Sequence, residues 1–193
     1  MDWAPDQAVV LSLPRRTDRR QHMNAMIPRL GFPAQIVDAI DGATATIPAS
    51  WESSPAAWGN AQSHRKVLKA ATGDSILVLE DDAFVPGDFR ARLETVLVAA
   101  PDWEVIILGG EHVVPPAVHA PGVYRCGGTI RSIGYLMRGR AIPMTVQAIN
   151  RSKRHWDNEW IITLQALRTY APNPFVITPT GSASDIPDST PYR

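Results

Sequence analysis

Three adjacent carboxylates, Glu80, Asp81 and Asp82, follow a short apolar run and could together hold a cation. Residues 76–79 read Ile-Leu-Val-Leu, which predicts a strand buried on both faces of a sheet. The carboxyl end of such a strand lies at the edge of an open α/β sheet, where ligand crevices form. Neighbouring carboxylates repel one another, so an opposing cation or several donors favour the cluster. Oxygen ligands indicate Mg²⁺ or Mn²⁺, and a polar loop after a strand is the alternative.

An arginine-rich segment is the second feature that could take part in binding or catalysis. Residues 15–20 read Arg-Arg-Thr-Asp-Arg-Arg and separate a predicted strand from a helix that Thr17 caps. Guanidinium groups and a helix N-terminus both favour phosphate, so this turn predicts an anion site. A solvated first helical turn is the alternative, and we prefer it for Arg20.

An acidic turn that holds a cation, together with an arginine-rich turn, would suit transfer of a sugar from a nucleoside-diphosphate donor. Such a transfer also needs a second acid on the opposite side. Asp157 and Glu159 begin a predicted helix, where the helix dipole favours an anion. In a single displacement at a sugar carbon, the transition state resembles an oxocarbenium ion and a carboxylate takes the proton from the attacking hydroxyl. A metal on the acidic turn would offset the charge that develops on a leaving diphosphate. Helix capping is the alternative role for both acids.

The elements that position these residues alternate along the first half of the chain. Strands are predicted at residues 8–13, 34–40, 76–79 and 103–108, and helices at 17–30, 54–71 and 89–98. This alternation predicts an α/β fold with a mostly parallel central sheet flanked by helices. The second half is less regular, with a surface connection at 111–121, strands at 123–126, 132–137 and 175–177, helices at 140–149 and 161–170, and an irregular tail.

Composition bounds the class of protein. The 193 residues, 45% of them apolar, suit one compact domain. Lys plus Arg number 19 and so do Asp plus Glu, so there is no basic excess that would indicate duplex nucleic acid. No secretion signal or membrane-spanning run is evident, and we expect a cytoplasmic protein, free or at a membrane surface. Cys126 is the single cysteine and is expected to be a buried thiol.

Several motifs in order along the chain resemble glycosyltransferase family 25, which includes lipooligosaccharide and collagen galactosyltransferases. The Leu-Glu-Asp-Asp strand end at 79–82 and the Gly-Asn-Ala-Gln-Ser-His helix at 59–64 have counterparts in that family. The remaining matches are the segments Leu-Ser-Leu-Pro-Arg-Arg-Thr-Asp-Arg at 11–19, Asp-Ala-Ile-Asp-Gly at 38–42, Gly-Tyr-Leu-Met at 134–137, Trp-Asp at 156–157 and Ser-Asp-Ile at 184–186.

The resemblance implies a single GT-A-like nucleotide-sugar-binding domain over residues 1–193. Residues 1–110 would be the nucleotide-sugar-binding half, and residues 111–193 the acceptor-side half with an irregular tail. The implied reaction is inverting transfer of a sugar, galactose or glucose, from a UDP-sugar to an acceptor hydroxyl. The implied cofactor is Mn²⁺ or Mg²⁺. The acceptor would be a glycan, a glycolipid or another hydroxyl compound.

The resemblance also implies roles for individual residues. Carried over by position, the nucleoside would be lined by Ser12, Arg16, Arg19 and Asp41. Glu80, Asp81 and Asp82 would meet ribose, metal and diphosphate, with Asp82 as the first metal ligand and Glu80 as the second. Asp157 would be the base, and Glu159 stays the second catalytic candidate because of its place at the start of the same predicted helix. His64 would hold the donor or the acidic turn.

The chain departs from the family pattern at several points. Ser12 replaces the usual Asn, Asn60 the usual Cys and Gly134 the usual Ala, and the chain is shorter than typical members, which leaves the acceptor open. A non-catalytic nucleotide-sugar or glycan-binding module is therefore kept as an alternative function. A receiver-like signalling domain is less well supported because no third Asp and late Lys follow. The basic and aromatic segment 151–160 could stack a nucleic acid, although a sugar on Trp156 fits as well.

Overall fold

A computed structural model describes residues 3–181 and 186. The strands are β1 (Gln7–Ser12), β2 (Gln35–Asp38), β3 (Ser75–Glu80), β4 (Ala83–Phe84), β5 (Val105–His112), β6 (Ala117–Ala120), β7 (Val123–Arg125), β8 (Thr129–Arg138), β9 (Thr169–Pro172) and β10 (Thr178–Pro179). The helices are α1 (Thr17–Met26), a 3₁₀ turn (Ile27–Leu30), α2 (Pro55–Lys69), α3 (Phe89–Ala99), α4 (Ala141–Arg151) and α5 (Asp157–Gln165).

A central eight-stranded sheet runs in the order β2-β1-β3-β8-β5-β9-β7-β6, and β4 pairs separately with β10. The pairs β1–β2 and β1–β3 are parallel, as is β5–β9. The strand β8 lies antiparallel between β3 and β5, and β7 lies antiparallel to both β6 and β9. The predicted α/β sheet flanked by helices is confirmed, but the parallel pairing dominates only the half that contains β1, β2 and β3.

Helices cover both faces of the sheet, and β3 shows why. Ile76 and Val78 pack on one face with residues of α2, α4 and α5, whereas Leu77 and Leu79 pack on the other with α1 and α3. All four side chains are fully buried. A strand buried on both faces has no polar alternation, which explains the continuous apolar run in the sequence.

The second half of the chain corrects three local predictions. The helix predicted at 161–170 begins earlier and ends at Gln165, and residues 169–172 form the strand β9. The surface connection predicted at 111–121 contains the end of β5 and all of β6. The last strand lies at 178–179 rather than 175–177, where the backbone amides of Val176 and Ile177 instead donate to the Leu108 carbonyl. Among the described residues, no helix has the length and apolar character needed to cross a membrane.

Two glycines bring α2 against the segment that leaves β2. A Cβ atom on Gly59 would lie 2.5 Å from the Ile40 carbonyl oxygen and 2.7 Å from the Gly42 nitrogen. A Cβ atom on Gly42 would lie 1.7 Å from the Pro55 carbonyl oxygen. Backbone therefore meets backbone, and residues 40–42 are held directly on the N-terminal half of α2.

We expect the substitution Gly59→Ala to lower the free energy of unfolding by about 1–3 kcal/mol, because the added methyl group overpacks this contact. The effect runs against the better helix propensity of Ala, worth about 1 kcal/mol. Urea unfolding measures it, with Gly87→Ala as the control because nothing lies within 4 Å of a Cβ atom there. A Gly59→Ala protein more stable than the parent would contradict the close approach.

Candidate active site

The acidic turn lies where two parallel strands end side by side. In the β1–β3 pairing, Leu11 is opposite Glu80, so Ser12 comes next to Asp81. The Ser12 hydroxyl donates to Asp81 Oδ2 at 2.8 Å, and Ser12 is 1% exposed. Ser12, which was predicted to line the nucleoside, therefore hydrogen-bonds directly to the acidic turn.

Arg19 forms an ion pair with Asp81, the middle carboxylate of the turn. Its Nη1 lies 2.7 Å from Asp81 Oδ1 and its Nη2 lies 4.0 Å from Asp82 Oδ2. The Arg19 and Asp81 side chains are only 11% and 9% exposed. Since Ser12 and Arg19 engage both oxygens of Asp81, this carboxylate is a structural anchor between α1 and β3 rather than an open ligand. Removing one partner of such a buried pair is strongly destabilising.

Glu80 is held from α2. Asn60 Nδ2 donates to Glu80 Oε1 at 2.9 Å, and His64 Nε2 lies 3.2 Å from the same oxygen. His64 Nδ1 lies 2.7 Å from the Tyr135 hydroxyl, whose pKa is raised well above its usual value by burial. The hydroxyl therefore stays protonated, and the His64 ring connects Tyr135 to Glu80 through its two nitrogens. Fully buried His64 holds the acidic turn, one of its two predicted roles.

Asp82 has an open oxygen, by which we mean a buried oxygen that accepts no hydrogen bond from the described residues. No donor in residues 3–181 or at 186 reaches its buried Oδ1 atom. Burial, with the nearby charge of Glu80, raises the pKa of Asp82 to about 6. An ionised Asp82 is thus costly here, and a cation beside it would relieve the cost.

The residues that the structure describes do not by themselves build a complete metal site. The described part of the chain contains no group of three His, Cys, Asp or Glu side chains arranged to hold a metal. The open Asp82 oxygen nevertheless fits Mg²⁺ or Mn²⁺ bound jointly with a diphosphate, because Mg²⁺ is commonly held by one or two carboxylates plus substrate phosphates. Glu80, the second predicted ligand, has its Oε1 atom engaged by Asn60 and His64.

A cleft of about 650 Å³, counted with its open mouth, lies beside the acidic turn. Its charged and polar lining includes Arg19, Asn60 and residues 80–82. Its apolar lining comprises Leu11, Leu13, Ala39, Ile40, Gly42, Ala56 and Ile186. This mixture of an apolar wall with a few convergent charged groups is typical of a ligand site.

Arg15, not the predicted Arg16, joins Asp41 in the cleft. Arg15 Nε donates to Asp41 Oδ2 at 2.8 Å, and this contact lowers the pKa of Asp41. Arg16 turns to its neighbour Asp18, with its Nη2 atom 2.9 Å from Oδ2. Of the predicted nucleoside residues, Arg19 and Asp41 line the cleft, and Ser12 lies behind Asp81.

Asp157 and Glu159 lie in the first turn of α5, outside the cleft walls. Asp157 is 7% exposed and its Oδ2 accepts from the Arg131 main-chain nitrogen at 3.2 Å. Burial raises the pKa of Asp157, and the charge of Glu80 adds to the rise. Asp157 is thus a buried acid, whereas Glu159 is half-exposed.

Arg131 adopts a backbone conformation that non-glycine residues rarely take. Its φ is 57°, inside β8, and its Nε atom lies 3.3 Å from Glu111 Oε2 on β5. Glu111 follows two register shifts in the β5–β8 pairing. Strained residues of this kind concentrate at functional sites, and here the strain aims a main-chain N–H at Asp157.

Sequence reasoning missed four residues of this site: Arg15, Asn60, Arg131 and Tyr135. Asn60 carried a usable signal, because it stands four residues before His64 in α2 and so shares its face. Cys126 is buried, and burial raises the pKa of its thiol to about 12, in line with the predicted inert role. Ser184 and Asp185 lie outside the described residues.

In metal-free buffer, we expect Asp82→Asn to be more stable than the parent at pH 7.5, by about 1–3 kcal/mol for a shift of this size. The folded-state pKa of Asp82 is raised, so its destabilising effect develops as pH rises from 3.8 to about 6 and is absent below that range. Urea unfolding at pH 3.5 and 7.5 measures the difference. An advantage of equal size at both pH values would refute an ionisation effect.

For the strained strand position, we expect Arg131→Gly to be more stable than Arg131→Ala by about 1 kcal/mol, because only Gly adopts a positive φ without steric cost. Both variants lose the contact with Glu111, so their difference isolates the backbone. Val118 in β6 is 77% exposed and provides a matched pair, for which Ala should exceed Gly. The same order at both positions would mean that Arg131 is not strained.

Comparisons with known proteins give this site a family. The human protein named "Inactive glycosyltransferase 25 family member 3" is 28% identical over 169 residues, which cover 69% of this chain and 27% of that protein. The chain thus spans about a quarter of that relative's length. Among solved structures, UDP-glucose pyrophosphorylase complexed with UDP-glucose has a TM-score of 0.48 at 8% identity, covering 86% of this chain and 72% of that one.

A glycosyltransferase involved in the glycosylation of the major capsid of PBCV-1 has a TM-score of 0.41 at 10% identity, covering 76% of this chain and 67% of that one. A sequence model described as "Glycosyltransferase family 25 (LPS biosynthesis protein)" matches residues 6–116. This match includes β1, β2, β3 and the acidic turn, and it extends over more than half of the chain. The chain therefore belongs to glycosyltransferase family 25.

Proposed function

We propose that this protein transfers a sugar from a UDP-sugar to an acceptor hydroxyl, with inversion at the sugar carbon and with Mn²⁺ or Mg²⁺ bound. The observation that carries the proposal is the open Asp82 carboxylate in a cleft at the carboxyl ends of parallel strands, beside Arg19. A buried acid without a donor and a nearby guanidinium suit a metal-bound diphosphate. Family membership supports a transferase.

The apolar and the charged residues that line the cleft suit the two ends of a nucleotide. The apolar wall around Leu11 and Ile40 offers a surface for a base, and the Arg15–Asp41 pair borders it. Arg19, held by Asp81, presents positive charge toward the acidic turn, where a diphosphate would lie. Because Arg19 is already fixed by its buried partner, little side-chain freedom is lost when an anion binds.

The metal in this proposal would be held by Asp82 together with the diphosphate. When bound there, it supplies charge that offsets the charge on the departing diphosphate. The protein's contribution is to keep one Asp82 oxygen open while Arg19 and Ser12 occupy Asp81 and α2 occupies Glu80.

Asp157 is the proposed proton acceptor. Its raised pKa brings it nearer to neutral pH than an ordinary carboxylate, which favours proton transfer from an acceptor hydroxyl. The Arg131 N–H holds one oxygen, so the direction of the carboxylate is fixed. A base on the face opposite the diphosphate gives inversion in one displacement. Glu159 is less suitable because its environment is half-exposed.

The proposed sugar is galactose or glucose, and the proposed acceptor is a glycan or glycolipid. The family description as an LPS biosynthesis protein supports a glycolipid acceptor. Such an acceptor fits work at the cytoplasmic side of a membrane. The balanced charge of the chain favours these acceptors over a nucleic acid.

A second candidate function is binding of a nucleotide sugar without transfer. Two observations favour it: Asp157 is nearly buried and does not line the cleft, and the similar human protein is named as inactive. In this case the donor cleft would persist while no base reaches the acceptor. The two functions differ in what Asp157 does, and not in what Asp82 does.

The test is a set of melting curves with UDP, UDP-galactose and UDP-glucose, each with and without Mn²⁺. At a ligand concentration 100-fold above Kd, the stabilisation is about 2.7 kcal/mol, which raises Tm by about 5–10 °C for a chain of this size. Asp82→Ala should abolish the Mn²⁺-dependent part of the shift. Asp88→Ala is the control, because Asp88 is exposed near the same strand end and makes no capping hydrogen bond.

Asp157→Asn then separates the two candidate functions. If the protein is a transferase, this variant keeps the Mn²⁺-dependent shift and loses release of UDP from the UDP-sugar. A parent protein that shows the shift but releases no UDP, even with glycan and glycolipid acceptors supplied, is a binding module. The absence of any nucleotide-induced shift would overturn both functions.

A further inference from the structure

We propose that Asn60 is a positioning residue that links the acidic turn to the start of α5 and thereby sets where Asp157 lies relative to the donor cleft. This inference rests on the proposed function, because it gives a role to the distance between donor and base. Asn60 stands on α2, between the two parts of the site that it joins.

Asn60 makes two hydrogen bonds in two directions. Its Nδ2 donates to Glu80 Oε1 at 2.9 Å, at the end of β3. Its Oδ1 accepts from Trp156 Nε1 at 2.9 Å, and Trp156 immediately precedes α5. A single amide thus bridges residues that are far apart in the sequence and belong to different halves of the chain.

The chemistry of the partners fixes the orientation of the amide. An indole N–H can only donate, so the atom facing Trp156 is the amide oxygen. The amide nitrogen then faces Glu80, whose Oε1 accepts from it. A flipped amide would lose both hydrogen bonds, and no hydrophobic side chain can replace either of them. Position 60 therefore uses both polar atoms of the Asn side chain, one as a donor and the other as an acceptor.

Both ends of the link are rigid. Trp156 is 2% exposed, and its ring packs at 4.8 Å from the ring of His64 and at 4.8 Å from that of Trp160. His64 itself holds Glu80 from the other side. Asn60 joins Glu80 to the Trp156 N–H by hydrogen bonds, whereas the tilted imidazole ring only contacts the indole ring.

The link ends at the proposed base. Because Trp156 precedes Asp157 in the chain, the indole hydrogen bond fixes the backbone from which the carboxylate projects. The Arg131 N–H fixes the carboxylate itself. Asp157 is thus located by α2 and β8 together, and Asn60 supplies the part of this support that starts in the cleft.

A ligand bound in the cleft should change the environment of the Trp156 indole N–H. Glu80 lines the cleft, and its side chain is 27% exposed. An anion or cation placed beside Glu80 changes the strength of its hydrogen bond from Asn60, and successive hydrogen bonds polarise one another. The Trp156 N–H is the last donor in this series of hydrogen bonds, so its NMR resonance reports on the link without any catalytic turnover.

The experiment follows the indole N–H resonances of ¹⁵N-labelled protein by NMR during titration with UDP and Mn²⁺. The titration ends at the ligand concentration at which the melting temperature stops rising. Trp156→Phe identifies the Trp156 resonance. In the parent, that resonance should shift with saturation, while the resonance of Trp103 should not. Trp103 is an internal control because it lies in the other core cluster, with its ring 5.9 Å from that of Trp3.

Asn60→Leu, which keeps the size and loses both hydrogen bonds, should reduce the ligand-induced shift at Trp156 to the level seen at Trp103. Asn60→Ala is the second variant if the Leu protein does not fold. A Trp156 response that persists in the folded variant overturns the proposal, and so does a silent Trp156 in a parent that binds UDP. A folded variant that no longer binds UDP makes Asn60 a binding residue instead. A parent that UDP does not stabilise overturns the proposed function itself.

Discussion

The ion pair between Arg19 and Asp81 is the interaction on which the rest of this site depends. Three consecutive carboxylates at the end of a buried strand repel one another, and the middle one is 6% exposed. Arg19 and Ser12 neutralise and hydrogen-bond both of its oxygens, which fixes α1 against the ends of β1 and β3. Without this contact the turn would lose its shape or hold fewer charges. With it, the two flanking acids are free to serve other purposes.

The three acids then differ because their surroundings differ. Glu80 is directed by α2 through Asn60 and His64, and Asp81 is neutralised by Arg19. Asp82 keeps one oxygen without a donor among the described residues, and burial raises its pKa to about 6. Three adjacent carboxylates thus become one positioned acid, one structural anchor and one acid with a buried oxygen that no described donor reaches. In the proposed function, a metal that arrives together with a diphosphate would lie beside this last acid.

The sequence made the acidic turn and its strand predictable because burial on both faces leaves a continuous apolar run that ends at Glu80. The parallel half of the sheet followed from the regular alternation of strands and helices. Contacts between distant polar side chains leave no periodicity, so the double role of Asn60 and the choice of Arg15 over Arg16 were not predictable. The strand at 169–172 was missed because its apolar residues continue the pattern of α5. The positive φ of Arg131 has no signal in the sequence, because such a conformation is normally taken by Gly or Asn rather than Arg.

The same geometry suggests how transfer and donor binding can separate in this family. The cleft is built by β1, α1, α2 and β3, all within the region that the family model matches. Asp157 belongs to α5 and is held by Arg131 and, through Trp156, by Asn60. Changes in β8 or α5 would displace the proposed base and leave Asp81, Arg19 and Asp82 in place. A chain could then keep the proposed nucleotide-sugar cleft after losing transfer, since β8 and α5 support Asp157 but supply none of the described residues that line the cleft.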